Sequence, residues 1–167
     1  MVGRHWAWIG LALLAGCTHR GGGSEAEAPV DTGPNYHCAE FNGFQSGQQV
    51  KVAQFIDEFR VASGPSHALE FLTPGHGGTA VVVKPSVFIS TQEPYQHFRI
   101  TYISESAEPI RVETYTEDAT ILQSVQLPVT PAHQLLDAVI DQPNGTKTVG
   151  LYDGGGVGLL SRFCAAH

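Results

Sequence analysis

The middle of the chain is written in period two. Phe98-Arg99-Ile100-Thr101-Tyr102 sets Phe98, Ile100 and Tyr102 against Arg99 and Thr101, and Ile110-Arg111-Val112-Glu113 repeats the pattern with Ile110 and Val112. Successive side chains of a strand point to opposite faces, so such a segment buries one face and wets the other, whereas a helix would need apolar residues three and four apart. Ile100 and Val112 are therefore expected in a core, and Arg111 and Glu113 in solvent. Ala80-Val81-Val82-Val83 and Val87-Phe88-Ile89 are continuous apolar runs of the kind found in strands buried on both sides, the first stopped by Pro85. Ile121, Val125 and Leu127 form a further broken row. The strands Ala80–Ile89, Phe98–Tyr102, Ile110–Tyr115 and Ile121–Leu127 are predicted to form the centre of two facing sheets.

Shorter apolar runs at Leu135–Ile140, Thr148–Tyr152 and Val157–Phe163 complete the series, with Gly, Pro, Asn and Asp clusters between them and a strong turn signal at Asn144-Gly145. Only 15% of residues are charged, and there are 19 glycines and 10 prolines. This turn-rich, low-charge composition points to an all-β, two-sheet antiparallel sandwich or jelly roll. One stretch reads differently. Val52, Ile56 and Phe59, with Ala53 and Phe55, have helical spacing, so one short helix is expected near 49–59, followed by a strand at Arg60–Ala62.

The chain begins with a leader carrying Arg4, then nine uncharged residues from Trp6 to Leu14, then Leu14-Ala15-Gly16-Cys17. Nine residues fall short of the about 20 needed to span a bilayer, and they fit the apolar part of a secretory signal with small residues at its cleavage site. The run resembles the lipobox of bacterial lipoproteins. That resemblance implies cleavage after Gly16, acyl chains such as palmitate on Cys17, and a partner in the membrane itself. An ordinary signal peptide with an incidental cysteine is the alternative. Several acyl chains on one residue suffice for stable anchoring, whereas one is marginal. Thr18, rather than Asp, after the lipidated cysteine implies transfer to the outer membrane. Residues 17–35, with Val30 as the one large apolar side chain, are expected to be a flexible tether. The folded domain then occupies 36–167.

Removing Met1–Gly16, which holds one Arg and no acid, leaves 151 residues and takes the net charge from −7 to −8. Nucleic acid is excluded as a partner on this ground, since phosphate binding needs clustered Lys and Arg. Trp6 and Trp8 leave with the signal, so a tryptophan platform for sugars is excluded too. With Cys17 lipidated, Cys38 and Cys164 remain. An exported compartment permits a disulfide between them, with free thiols as the alternative.

The order Glu40-Phe41-Asn42-Gly43-Phe44, Gly47, Gln54-Phe55, Arg60-Val61 and Ser66-His67-Ala68-Leu69-Glu70 resembles the opening of a galactose-binding-like jelly roll. Phe98-Arg99-Ile100, Val112–Asp118, Val149-Gly150-Leu151 and Gly156–Leu160 resemble the back half of carbohydrate-binding-type sandwiches. In such folds the first and last strands are neighbours, which would bring Cys38 beside Cys164. The family often holds a structural calcium through acids on the first and last strands. Glu40 matches the first position, but Leu159-Leu160-Ser161-Arg162 carries no acid, so Glu40 is a calcium candidate lacking its second half.

Chemistry is sparse in the sequence. Mature histidines at 19, 37, 67, 76, 97, 133 and 167 show no zinc spacing, Ser66-His67 has no triad context, and Asp153-Gly154-Gly155-Gly156 lacks the lysine of a phosphate loop. Asn144-Gly145-Thr146 is a glycosylation sequon, but in a bacterial lipoprotein it reads as a turn. Three functions remain. The first is a non-catalytic, membrane-anchored binding or structural domain, with another envelope protein as a possible partner and no cofactor. The second is a carbohydrate-binding module, with Tyr95, His97, Tyr115 or Tyr152 as glycan platforms. The third is a hydrolase built on dispersed acids such as Glu113, Glu117 and Asp118. Exposed tyrosines along a groove favour the second, and two facing acids in a deep pocket favour the third.

Overall fold

The structure, a computed structural model, describes residues 34–167 except 75–77, 106–107, 132–133, 154 and 157. The expected signal and Cys17, the expected tether up to residue 33, His76 and His133 lie outside the described residues. The strands are β1 (His37–Glu40), β2 (Gln49–Val50), β3 (Gln54–Ile56), β4 (Phe59–Ser63), β5 (Leu69–Leu72), β6 (Ala80–Val82), β7 (Ser86–Ser104), β8 (Arg111–Tyr115), β9 (Ile121–Gln126), β10 (Leu136–Tyr152) and β11 (Gly158–Ala166). Every pairing is antiparallel.

The two longest strands organise the fold by serving both layers. Residues 97–104 of β7 pair with β11 on one side and residues 136–141 of β10 on the other. β11 in turn pairs with β6 and β1, and β6 leads to β5 and β2. This is layer one. Residues 86–90 of β7 pair with β4 and with residues 148–152 of β10, which pair with β8, β8 with β9, and β4 with β3. This is layer two. Between the halves the register breaks: residues 142–145 of β10 stand against Gln96 alone, then Lys147 alone stands against 91–94 of β7. Such bulges bend a ladder without ending it, and they let both strands cross from layer to layer.

Between the layers lies one core. Phe98, Ile100 and Tyr102 of layer one and Val61, Ile89, Val112, Val149 and Leu151 of layer two are all buried within it. The expected all-β sandwich is the observed fold, Ile100 and Val112 point inward, and Cys38 is bonded to Cys164 across the β1–β11 register. The strand predicted at Arg60–Ala62 is the centre of β4.

Four expectations are corrected. No helix is found among the described residues. The 49–59 segment instead forms β2, then the β3–β4 hairpin around Asp57-Glu58, with Asp57 in the left-handed region at φ 52°. Ile56 and Phe59 pack inward while Val52 and Phe55 are 68% and 75% exposed, so the residues at helical spacing do not share a face. β9 is an edge rather than a central strand, with Ile121 and Leu122 exposed. Asn144-Gly145 lies inside β10, where Gly145 at φ 71° forms part of the bulge rather than a hairpin turn. Glu113 is buried instead of solvated, for a reason found at the site below.

Candidate functional site

Layer two turns its outer face away from the core, and cross-strand register fixes what stands there. One row runs Phe55, Arg60, Ser90, Thr148, Tyr115 across β3, β4, β7, β10 and β8. The next runs Ala62, Phe88, Gly150, Glu113, Ser124, and a third runs Ser86, Tyr152, Arg111, Gln126. Directly opposed residues share a face, so these are three parallel rows on one surface.

Gly150 is the floor of that surface. A Cβ built on it would meet Tyr152 Cε2 at 3.0 Å, Tyr115 Cε2 at 3.1 Å and Phe88 Cε1 at 3.2 Å. The rings of three strands converge over a backbone with no side chain. Phe88 and Tyr152 meet edge to face at 5.8 Å, a favoured aromatic arrangement. All three rings are half-buried and line a shallow depression of about 300 Å³ with Thr116, Glu117 and Thr148.

A polar network holds the rings. Arg111 Nε donates to Glu113 Oε1 at 2.9 Å, and the same guanidinium lies over the Tyr152 ring, 4.9 Å from its centroid. The Tyr115 hydroxyl donates to Glu113 Oε2 and also meets the Tyr152 hydroxyl. A phenol has one proton, so with Tyr115 donating to the carboxylate, Tyr152 donates to Tyr115. Burial pushes the Tyr115 hydroxyl far above its ordinary range, reinforced by its bonds to Glu113 and Tyr152, so it remains a donor. This network explains the burial of Glu113. A carboxylate flanked in its own strand by Arg111 and Tyr115 has both oxygens satisfied and need not reach water.

The structure thus brings Tyr115 and Tyr152 together and separates the other candidates. Tyr95 is 4% exposed, with its ring stacked on His167 at 4.3 Å, so it presents no platform; burial and a bond to Glu58 push its hydroxyl upward. His97 sits on the outer face of layer one, its Nδ1 2.7 Å from Asp141 Oδ1. Glu40 is not placed as a calcium ligand. Arg162 Nε holds its Oε1 at 3.1 Å and the Asn42 amide donates to Oε2 at 3.2 Å. Among the described residues no group of three His, Cys, Asp or Glu is placed to hold a metal. The acids of the hydrolase reading have separate partners: Glu113 those above, Glu117 the Lys147 ammonium at 2.8 Å, and Asp118 the Thr116 hydroxyl. Lys147 holds the Glu117 carboxyl below its usual range.

Sequence reading missed Phe88, Gly150 and Arg111 as members of one site. The serines at 86 and 90 carried a signal, because they put Phe88 in phase with polar positions and Val87 and Ile89 out of phase.

No family model matches this sequence, and no curated protein matches it. The solved structures do. The cleaved adhesin domain of Lys-gingipain superposes with a TM-score of 0.50 and 13% identity, over 80% of this chain and 100% of that one. The shared feature is the fold. Two carbohydrate-binding modules are also similar. A family 6 module from Clostridium cellulolyticum, in complex with xylose, gives a TM-score of 0.45 at 16% identity over 79% of this chain and 98% of that one. A family 29 module from Piromyces equi gives 0.47 at 7% identity over 80% and 91%.

Proposed function

We propose that this chain is a non-catalytic carbohydrate-binding domain, carried on the bacterial envelope by lipid at Cys17 with residues 17–35 as tether and 36–167 as the binding domain. The observation that supports the reading is the platform of Phe88, Tyr115 and Tyr152 over bare Gly150. A sugar presents an apolar C–H face and a hydroxyl rim. Rings gathered on a strand surface accept the former, while Arg111, Thr148 and Ser90 offer hydrogen bonds to the latter. A glycosidase needs two carboxyl groups flanking the scissile bond, and both oxygens of Glu113 are already engaged within the network.

A glycan array probed with the full chain tests the reading. At least one glycan class should be retained, and Tyr152→Ala should lower its retention about tenfold or more, with an unchanged circular-dichroism spectrum, since it removes a ring and the partner of Arg111. Retention of no glycan, or equal retention by the variant, overturns it. The anchor is tested separately. Cys17→Ser should move the protein from membrane to soluble fractions, and a variant that stays with the membrane overturns the lipid assignment.

A further inference from the structure

We infer that the site continues across layer two to a second platform at Phe55, and that its ligand is a neutral, linear oligosaccharide rather than a single sugar; this rests on the carbohydrate reading above. A single exposed phenylalanine needs no explanation. Phe55 is distinguished by register. It closes, at 75% exposure, one end of the same cross-strand row that holds Tyr115 on β8. Four strand spacings separate them, about 19 Å at the usual inter-strand distance, far more than one sugar covers. Between the two rings the row holds Arg60, Ser90 and Thr148, all polar.

The surface is continuous along that row. A second depression, also about 300 Å³, is lined by Phe55, Arg60, Ser90 and Tyr95. It adjoins the first where Ser90 Oγ and Thr148 Oγ1 lie 3.4 Å apart. The β3–β4 hairpin raises Phe55 outward because its neighbours Gln54 and Ile56 take the inward positions opposite Val61 and Phe59. Around Tyr115 charge is self-compensated, Arg111 pairing with Glu113 and Lys147 with Glu117, while around Phe55 the acids Asp57, Glu58 and Glu93 stand beside Arg60. A polyanion would have to break the first pairs and face the second group, and a basic peptide would have to break the pairs at Tyr115, whereas a neutral chain of hydroxyls does neither.

Titration calorimetry of the full chain tests this with cello-, xylo- and malto-oligosaccharides from the monosaccharide to the hexasaccharide. Affinity should rise with length in at least one series. Phe55→Ala should lower affinity for the hexasaccharide about tenfold, the magnitude of one lost ring contact, and leave the disaccharide unchanged, whereas Tyr152→Ala should lower both. Equal affinity for disaccharide and hexasaccharide, or an unaltered Phe55→Ala protein, overturns the inference and spares the carbohydrate reading. So does a failure of all three series to bind when the array retains some other glycan. No binding in either experiment overturns both.

Discussion

Replacing Cys38 and Cys164 together by serine is expected to lower the unfolding free energy by about 2–5 kcal/mol, toward the upper end of that range. The bond joins residues 126 apart in sequence, so it closes nearly the whole folded domain. In the loop-entropy account a cross-link around about 100 residues restricts the unfolded chain by about 4.7 kcal/mol, and the longer loop here adds little because the dependence is logarithmic. A second, local effect acts in the same direction. β1 has four residues and pairs with β11 alone, with Cys38 opposite Cys164. Without the bond, β1 is held by its ladder and by the buried Ala39 and Phe41. Urea unfolding of parent and variant checks the total, and limited proteolysis between Tyr36 and Phe44 checks the local part. A midpoint unchanged in the variant would show that the sheet itself, and not the cross-link, closes the fold.

Much of the fold was legible because the signals were local. Phe98, Ile100 and Tyr102 alternate with polar residues, and period two leaves few other structures. Cys38 and Cys164 could be paired because only two cysteines remain after Cys17. The misreadings share a physical cause, which is that alternation assigns a residue to a face without saying what covers that face. Glu113 alternates with Val112, and that pattern alone assigns it to water, but Arg111, Tyr115 and Tyr152 roof it over. Ile121 belongs to an apolar row yet lies on an edge strand, where about half of it stays exposed. Val52, Ile56 and Phe59 mimic a helix by spacing, and a single left-handed Asp57 turns the segment into a hairpin. The site was the least legible part. Tyr115 and Tyr152 are 37 residues apart and meet through the pairing of β8 with β10, and Phe55 joins their surface only through a row spanning five strands. Register over that distance is a property of the assembled sheet, so no local pattern carries it.

Phe163→Ala is expected to cost about 3–5 kcal/mol, whereas the adjacent Arg162→Ala should cost about 1 kcal/mol or less. The two residues are consecutive in β11 and so face opposite ways. Phe163 is 1% exposed and packs between the layers, edge-on to Phe59 of β4 at 5.5 Å and 5.9 Å from Phe98 of β7. Its cross-strand partner is Ile100, also fully buried. Truncating it removes the ring's transfer free energy and leaves a void that two sheets tied together by β7 and β10 cannot collapse to fill. The loss of an edge-to-face contact with Phe59 adds to this. Arg162 lies on the outer face, about half exposed, and its ion pair with a similarly exposed Glu40 is weakened by water and salt. Urea unfolding at constant salt should therefore separate the neighbours by several-fold in lost free energy. Comparable losses for both would mean that the contact between layers at Phe163 is not what holds the sandwich closed, and that the ladder around β11 supplies its stability instead.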